Sequence, residues 1–313
     1  VSAGAGPGTA AATTAAAATR AERRAGWLFS APALLAIALF FVLPTIASLA
    51  LSLTDFDIYA LADIGNLRFV GLANYSALLG DPLFWTALRN TLWFVVLGVP
   101  AIMLVAFAAA VLVNERLVAW RPLWRAVFFA PYVATLVAAA VVWKYLLHAR
   151  YGLLNHALAA IGLPPVDWLG DPRWAIPAIT LFVVWKSFGY SMLIFLAALQ
   201  TVPRELEEAA RIDGAGWWSR LRHVTLPAIA PAAGLVAVLA VVSMFQLFAE
   251  PYVMTEGGPA QSTITVLYLM FDQGFQWWNL GLGAAVAVVL FGCILVAALA
   301  PAAALRLFRG RGG

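Results

Sequence analysis

An all-α polytopic membrane protein with six helical spans is the fold class this sequence predicts. Three observations point to it. Hydrophobic residues make up 64% of the chain against 11% charged, and the mean hydropathy of +0.90 lies outside the range of soluble globular chains. Six stretches reach the roughly 20 apolar residues that a helix needs to cross the hydrocarbon layer. The basic residues gather in alternate loops between those stretches, as membrane topology requires. A net charge of +4 and a pI near 9.5 would also suit a nucleic-acid binder, but this placement argues against one, so no nucleic-acid partner is expected.

Taken in order, residues 1–25 are an Ala/Thr/Gly tract closing on Arg20, Arg23 and Arg24. Such a composition cannot bury a core, and a disordered tail is expected. Its positive charges follow the alanines instead of preceding them, unlike a secretory signal. A membrane domain over residues 26–308 follows, then a short tail at 309–313. The spans are expected at Trp27–Leu53, Trp85–Val113, Leu123–Leu147, Trp174–Leu199, Ala228–Ala249 and Leu280–Leu305. Pro44, Pro100, Pro131, Pro177, Pro231 and Pro301 fall within or beside them. Each removes a backbone donor and bends its helix, which is tolerable where a neighbouring helix covers the freed carbonyl. Packing alone explains such bends, and so does a passage lined by bent helices. Residues 1–26, 114–122, 200–227 and 306–313, with Arg125 at a span edge, carry thirteen of the nineteen Lys and Arg, whereas the loop 250–279 carries none. The positive-inside rule then places both termini and the loop 201–227 in the cytoplasm.

That loop is the hydrophilic island of the chain, with four of the fifteen acids and four of the nineteen basic residues. It reads as helix, turn, helix. Pro203 suits a first helical position, and Glu205, Glu207 and Glu208 complement a helix N-terminus. Leu206, Ala209 and Ala210 form a narrow apolar stripe. Asp213-Gly214 is a stop signal, because glycine takes the left-handed conformation at little steric cost. A second short helix is expected from Trp217 to Val224, and Pro227 then opens the next apolar run.

Glu208-Ala209-Ala210, three residues, Gly214, nine residues and Val224-Thr225-Leu226-Pro227 resemble the EAA loop of binding-protein-dependent ABC importers. That signature reads E-A-A-x3-G-x9-I-x-L-P, and Val224 in place of Ile is the one departure. The wider run from Val202-Pro203 through Ile212-Asp213-Gly214-Ala215 is similar to the carbohydrate-uptake permeases of the maltose-transporter type. On the outer side, Phe69-Val70-Gly71, Asn74-Tyr75, Asp81-Pro82, Phe84-Trp85 and Asn90-Thr91 resemble the approach to the second span in these permeases. Thr255, Gly257-Gly258-Pro259, Thr263 and Thr265 do the same after the fifth. The resemblance covers nearly all the chain after residue 26, and Asn90-Thr91 with the chain length leans toward the first of the two maltose-type permeases.

The resemblance implies a type I ABC importer permease fold in the bacterial inner membrane. It implies a second permease subunit as heterodimer partner, a dimer of ATPase subunits, and an extracytoplasmic sugar-binding protein. Glu208, Ala209, Ala210 and Gly214 would couple to the ATPase, with Leu226 and Pro227 fixing the exit from the loop. This chain is expected to be no enzyme and to bind no cofactor itself, with ATP and Mg used by the partner ATPase. The residues agree. ATP hydrolysis needs a Gly-rich phosphate cradle ending in Lys-Ser or Lys-Thr, whereas Lys144 and Lys186, the two lysines, each follow a tryptophan. Cys293 is the single cysteine, which precludes an intrachain disulfide, and His148, His156 and His223 are too scattered for a metal site.

Polar residues inside spans mark a passage by default. The fourth span offers Trp185, Lys186, Ser187, Tyr190 and Ser191; the fifth offers Ser243, Phe245, Gln246 and, near its outer end, Glu250. Aromatic faces with hydrogen-bonding side chains suit a sugar. Interhelical hydrogen bonding between packed spans is the plainer account of the same residues. Two other functions stay open at this point. One is a permease for another solute, such as a glycerol-phosphate ester. The other is a polytopic membrane enzyme, for which Asp55 and Asp57 are the one outer pair of carboxylates near a membrane face.

Overall fold

The computed structural model describes residues 25–115 and 120–310. The expected disordered tail before Ala25, the loop residue Arg116 and residues 311–313 lie outside them. By packing, the chain divides into Val1–Leu51 and Ser52–Gly313. The last described helix runs to Gly310.

The first unit contributes one described helix, Ala25–Leu51, long and apolar enough to span a bilayer. It widens into a π turn over Ala38–Val42, where the Leu43 amide donates to the Ala38 carbonyl. Pro44 follows at once. A proline ring collides with the carbonyl four residues back, here that of Phe40, and a π turn gives that carbonyl room.

The second unit holds four more continuous span helices: Pro82–Asn114, Pro172–Gln200, Trp217–Phe245 and the helix beginning at Leu280. Two of them start on the same Asp-Pro device. Asp81 accepts from the Leu83 amide and Asp171 from the Arg173 amide, while Pro82 and Pro172 occupy the first turn, where no amide is needed. Pro100, Pro177 and Pro231 sit inside continuous helices without breaking them.

The second and fourth spans pack along each other and form the axis of this unit. The second span enters all three buried clusters. Phe84 and Ala87 pack with Phe245, Val266 and Leu269 at one end. Phe94 and Ile102 meet Ile179, Phe182 and Met244 in the middle. Ala106, Ala109 and Ala110 meet Phe195 and Leu196 at the other end, and small residues there let the backbones approach.

Two expectations need correction. The third span is not one helix over Leu123–Leu147 but two, Arg121–Val133 and Leu136–Leu146, bent by 96°. Ala134 and Thr135 adopt extended ψ angles of 142° and 132°. Pro131, which cannot donate to the preceding turn, lies just before that break. The second helix of the polar loop does not end before Pro227. Trp217–Phe245 is one helix, carried through the proline by a π turn at Leu221–Thr225 in which the Leu226 amide donates to Leu221. That turn stands in the same register to Pro227 as Ala38–Val42 does to Pro44, and hydropathy alone gives no sign of either.

Between the spans lie short helices, Ile58–Ala62, Ala73–Gly80, Leu153–Ala160, Ala249–Thr255 and Val266–Phe271. An isolated antiparallel bridge, Thr54 with Phe69, is the extended pairing among the described residues.

Candidate functional site

The helix carrying the Glu-Ala-Ala triplet spans Arg204–Ile212. Pro203 stands just before it as the cap, one place earlier than expected, with φ −60° and ψ 130°. The far end is a Schellman motif. The Ala215 amide donates to the Ala210 carbonyl and the Gly214 amide to Arg211, with Gly214 at φ +79°. Nothing lies within 4 Å of where a Gly214 Cβ would be, so the requirement for glycine there is purely one of backbone conformation. Glu208 and Ala209 are exposed and Ala210 is half-buried. Leu206, Ile212, Trp217 and Trp218 are exposed as well, Ile212 at 87%. An amphipathic helix with its apolar groups uncovered is what a partner-binding element presents. Leu226 and Pro227 are exposed on the first turns beyond the π turn.

The candidate passage residues separate into different environments. On the fourth span, Trp185 is half-buried in an aromatic group with Trp143 at 5.3 Å and Phe182 at 6.2 Å. Ser187 is half-buried, and Ser191 is buried. Tyr190 is exposed and stacks on Tyr132 with centroids 5.0 Å apart. On the fifth span, Ser243 and Gln246 are exposed one turn apart, Gln246 capping the helix end. Phe245 lies in the core at 2% exposure, so in this conformation it is packing rather than a stacking surface. Glu250 is buried on the separate helix Ala249–Thr255, past the end of the span. Among the described residues, no hydrogen bond or ring contact joins the fourth-span set to the fifth-span set.

Lys186 has a definite structural partner. Its Nζ donates to the carbonyls of Ala134 at 2.7 Å and of Pro131 and Tyr132 at 3.3 Å each. These belong to the broken end of Arg121–Val133, where the helix has run out of amides and its dipole is negative. Three residues on, a Cβ at Gly189 would run into the Phe128 carbonyl oxygen, so the two backbones touch there. Lys186 and Gly189 together clamp the break against the fourth span.

The motifs before the second span and after the fifth are structural pins. Asn90 Nδ2 donates to the carbonyls of Gln261 and Ile264 at 2.8 and 3.0 Å. Thr91 Oγ1 donates to Ala87 and accepts from the Val266 amide. Thr263 donates to the Gly258 carbonyl, and Thr265 caps the helix Val266–Phe271 while donating to Leu247. Sequence pattern marked these residues but gave them no role. Asp55 accepts from the Arg68 amide, and Asp57 accepts from the amides of Tyr59 and Ala60. Asp55 thereby bonds beside the Thr54–Phe69 pairing, and Asp57 caps the helix Ile58–Ala62.

Residues 8–308 match the family described as binding-protein-dependent transport system inner membrane component. The chain is 37% identical over 256 residues to the lactose transport system permease protein of Rhizobium radiobacter, covering 80% of this chain and 84% of that one. It is 31% identical over 297 residues to the arabinooligosaccharides transport system permease protein of Bacillus subtilis, covering 93% and 91%. Its fold is similar to that of a chain in the crystal structure of a bacterial alginate ABC transporter in complex with alginate pentasaccharide-bound periplasmic protein. That likeness has a TM-score of 0.72 at 22% identity and covers 90% of this chain and 94% of that one.

The clamp at the third-span break makes a stability prediction. Lys186→Met should lower the melting temperature of the detergent-purified chain by the equivalent of about 1–2 kcal/mol, with Lys186→Arg milder. Gly189→Ala should act at the same place, at ~1–3 kcal/mol, because backbone cannot yield. Gly98→Ala, whose neighbour is the flexible Met244 side chain, should cost less. Equal melting temperatures for all four variants and the wild type would show that the break is held by other means.

Proposed function

The chain belongs to the family of inner-membrane components of binding-protein-dependent transport systems, and from that membership we propose that it forms the passage for a sugar in an importer. The observation that carries the substrate class is its similarity, over most of both chains, to permeases named for lactose and for arabinooligosaccharides. The sugar arrives from an extracytoplasmic binding protein. A second permease subunit completes the passage as a heterodimer, and a dimer of ATPase subunits hydrolyses Mg·ATP. Both termini and the loop 201–227 lie in the cytoplasm, a reading supported by the asymmetry of basic residues.

Energy enters at the helix Arg204–Ile212. Exposed Glu208 offers charge-assisted hydrogen bonds, and the small Ala209 and Ala210 permit close approach of a partner. The Schellman turn at Gly214 fixes the angle between this helix and Trp217–Phe245. A displacement of the coupling helix is thereby delivered to the fifth span and to Ser243 and Gln246 at its far end. Those two side chains, with Tyr190 and Ser187, are the hydrogen-bonding groups assigned to the sugar. Lys186 is assigned to the helix break instead.

The orientation is tested with a reporter active only outside the cytoplasm. Fused after Gln261 it should be active, and fused after Ala215 silent; the reverse pattern would overturn the orientation and the coupling route.

Coupling is tested at the loop. Gly214→Val forces a β-branched residue to a positive φ, and Glu208→Lys reverses the charge. Both should abolish uptake while the protein still inserts in the membrane, and both should weaken copurification of the ATPase. Normal uptake and copurification in both variants would make the loop a mere connector.

The passage is tested at the exposed pair on the fifth span. Ser243→Ala with Gln246→Ala should reduce uptake about tenfold at substrate levels well below saturation, as expected for losing neutral hydrogen bonds of about 1–3 kcal/mol in total. Basal ATPase activity and assembly should be unchanged. Undiminished uptake would show that the two residues face only lipid or a partner helix.

A further inference from the structure

At the end of the molecule that carries the coupling helix lies a cavity of about 620 Å³, large enough for a small ligand. Its walls come from the ends of four spans and from the coupling helix itself. Four arginines line it: Arg121 and Arg125 at the start of the third span, Arg211 on the coupling helix and Arg220 at the start of the fifth span. The Nε atoms of Arg125 and Arg220 are buried and have no hydrogen-bond partner. Glu115, Glu207 and Glu208 also line the cavity, yet the ion pairs within 4 Å among the described residues are Arg68–Asp55 and Arg173–Asp171, both elsewhere. Arg121 spends one donor on the Glu115 backbone carbonyl at 2.8 Å.

Buried guanidinium donors without acceptors are costly, and the carboxylates present do not relieve them. Several arginine forks converging on one space match the oxygens of a phosphate, which they can hold bidentately. The cavity also sits where four spans end on the side richest in arginine, the depth at which basic pockets between helices meet lipid head groups. We propose that this cavity binds a phosphate group, carried by the head of an anionic phospholipid or by phosphate free in solution. A bound phosphate bridges Arg211 of the coupling helix to Arg125 and Arg220 of the third and fifth spans. It thereby stiffens the joint through which the loop acts on the spans. The inference needs the fold and the cavity but not the identity of the transported solute.

The test is thermal unfolding of the full-length chain in uncharged detergent, read by tryptophan fluorescence. One arm adds phosphatidylglycerol against phosphatidylcholine, and the other adds inorganic phosphate against chloride at equal ionic strength. A ligand of the native state raises the melting temperature in proportion to its saturation. Wild type should respond to phosphatidylglycerol or to inorganic phosphate and to neither control. A response to phosphatidylglycerol alone assigns the site to lipid, and a response to inorganic phosphate assigns it to the free ion. The Arg125→Gln, Arg220→Gln double variant should need about tenfold more ligand or greater for the same shift. Glu207→Gln, which removes a competing charge, should need less, and this gain keeps the test decisive if the double variant fails to fold. Absence of any response in the wild type, or the same response in wild type and Glu207→Gln, would overturn the proposal.

Discussion

Backbone carbonyls cannot be left without donors at membrane depth, and this constraint governs how the third span is built. The span breaks through 96° at Ala134 and Thr135, and the carbonyls left there are met by the Lys186 ammonium. Gly189 brings the fourth span close enough for that reach. The fourth span is in turn packed along the second, which runs through all three buried clusters. A charge that looks misplaced in an apolar helix thus secures the sharp break in the third span.

The five continuous spans and the polar loop were legible because their signals are long and additive. Twenty apolar residues cannot be much else, and the loop concentrates charge where the rest of the chain has little. Helix starts at Pro82 and Pro172 were nearly legible too, since Asp-Pro is a cap joined to a first turn. What escaped were features made by pairs distant in sequence or by the geometry of a single turn. The break at Ala134 has Pro131 as a warning, but Pro100, Pro177 and Pro231 give the same warning within unbroken helices. The outcome depends on what neighbours supply, and hydropathy says nothing of neighbours.

The site divided along similar lines. Gly214 was readable from local chemistry alone, because a glycine after an acidic cap has few other uses, and its φ of +79° agrees. Polar or aromatic character within a span cannot tell an open face from a packed one. Gln246 and Phe245 are adjacent in sequence, yet one is exposed and the other is core. A helical wheel anchored on Met244 and Val241, both buried, would have separated them.

The pin formed by Asn90 has a consequence for how the chain is assembled. Its amide donates to carbonyls 171 and 174 residues further along, at Gln261 and Ile264. During synthesis the second span is complete long before that loop exists. Throughout the interval Asn90 lacks both acceptors, as it does for good in any chain that stops short of residue 261. Arrival of the loop after the fifth span supplies both acceptors together. The same contact thus makes the hydrogen bonding of an early span wait on a loop synthesised much later.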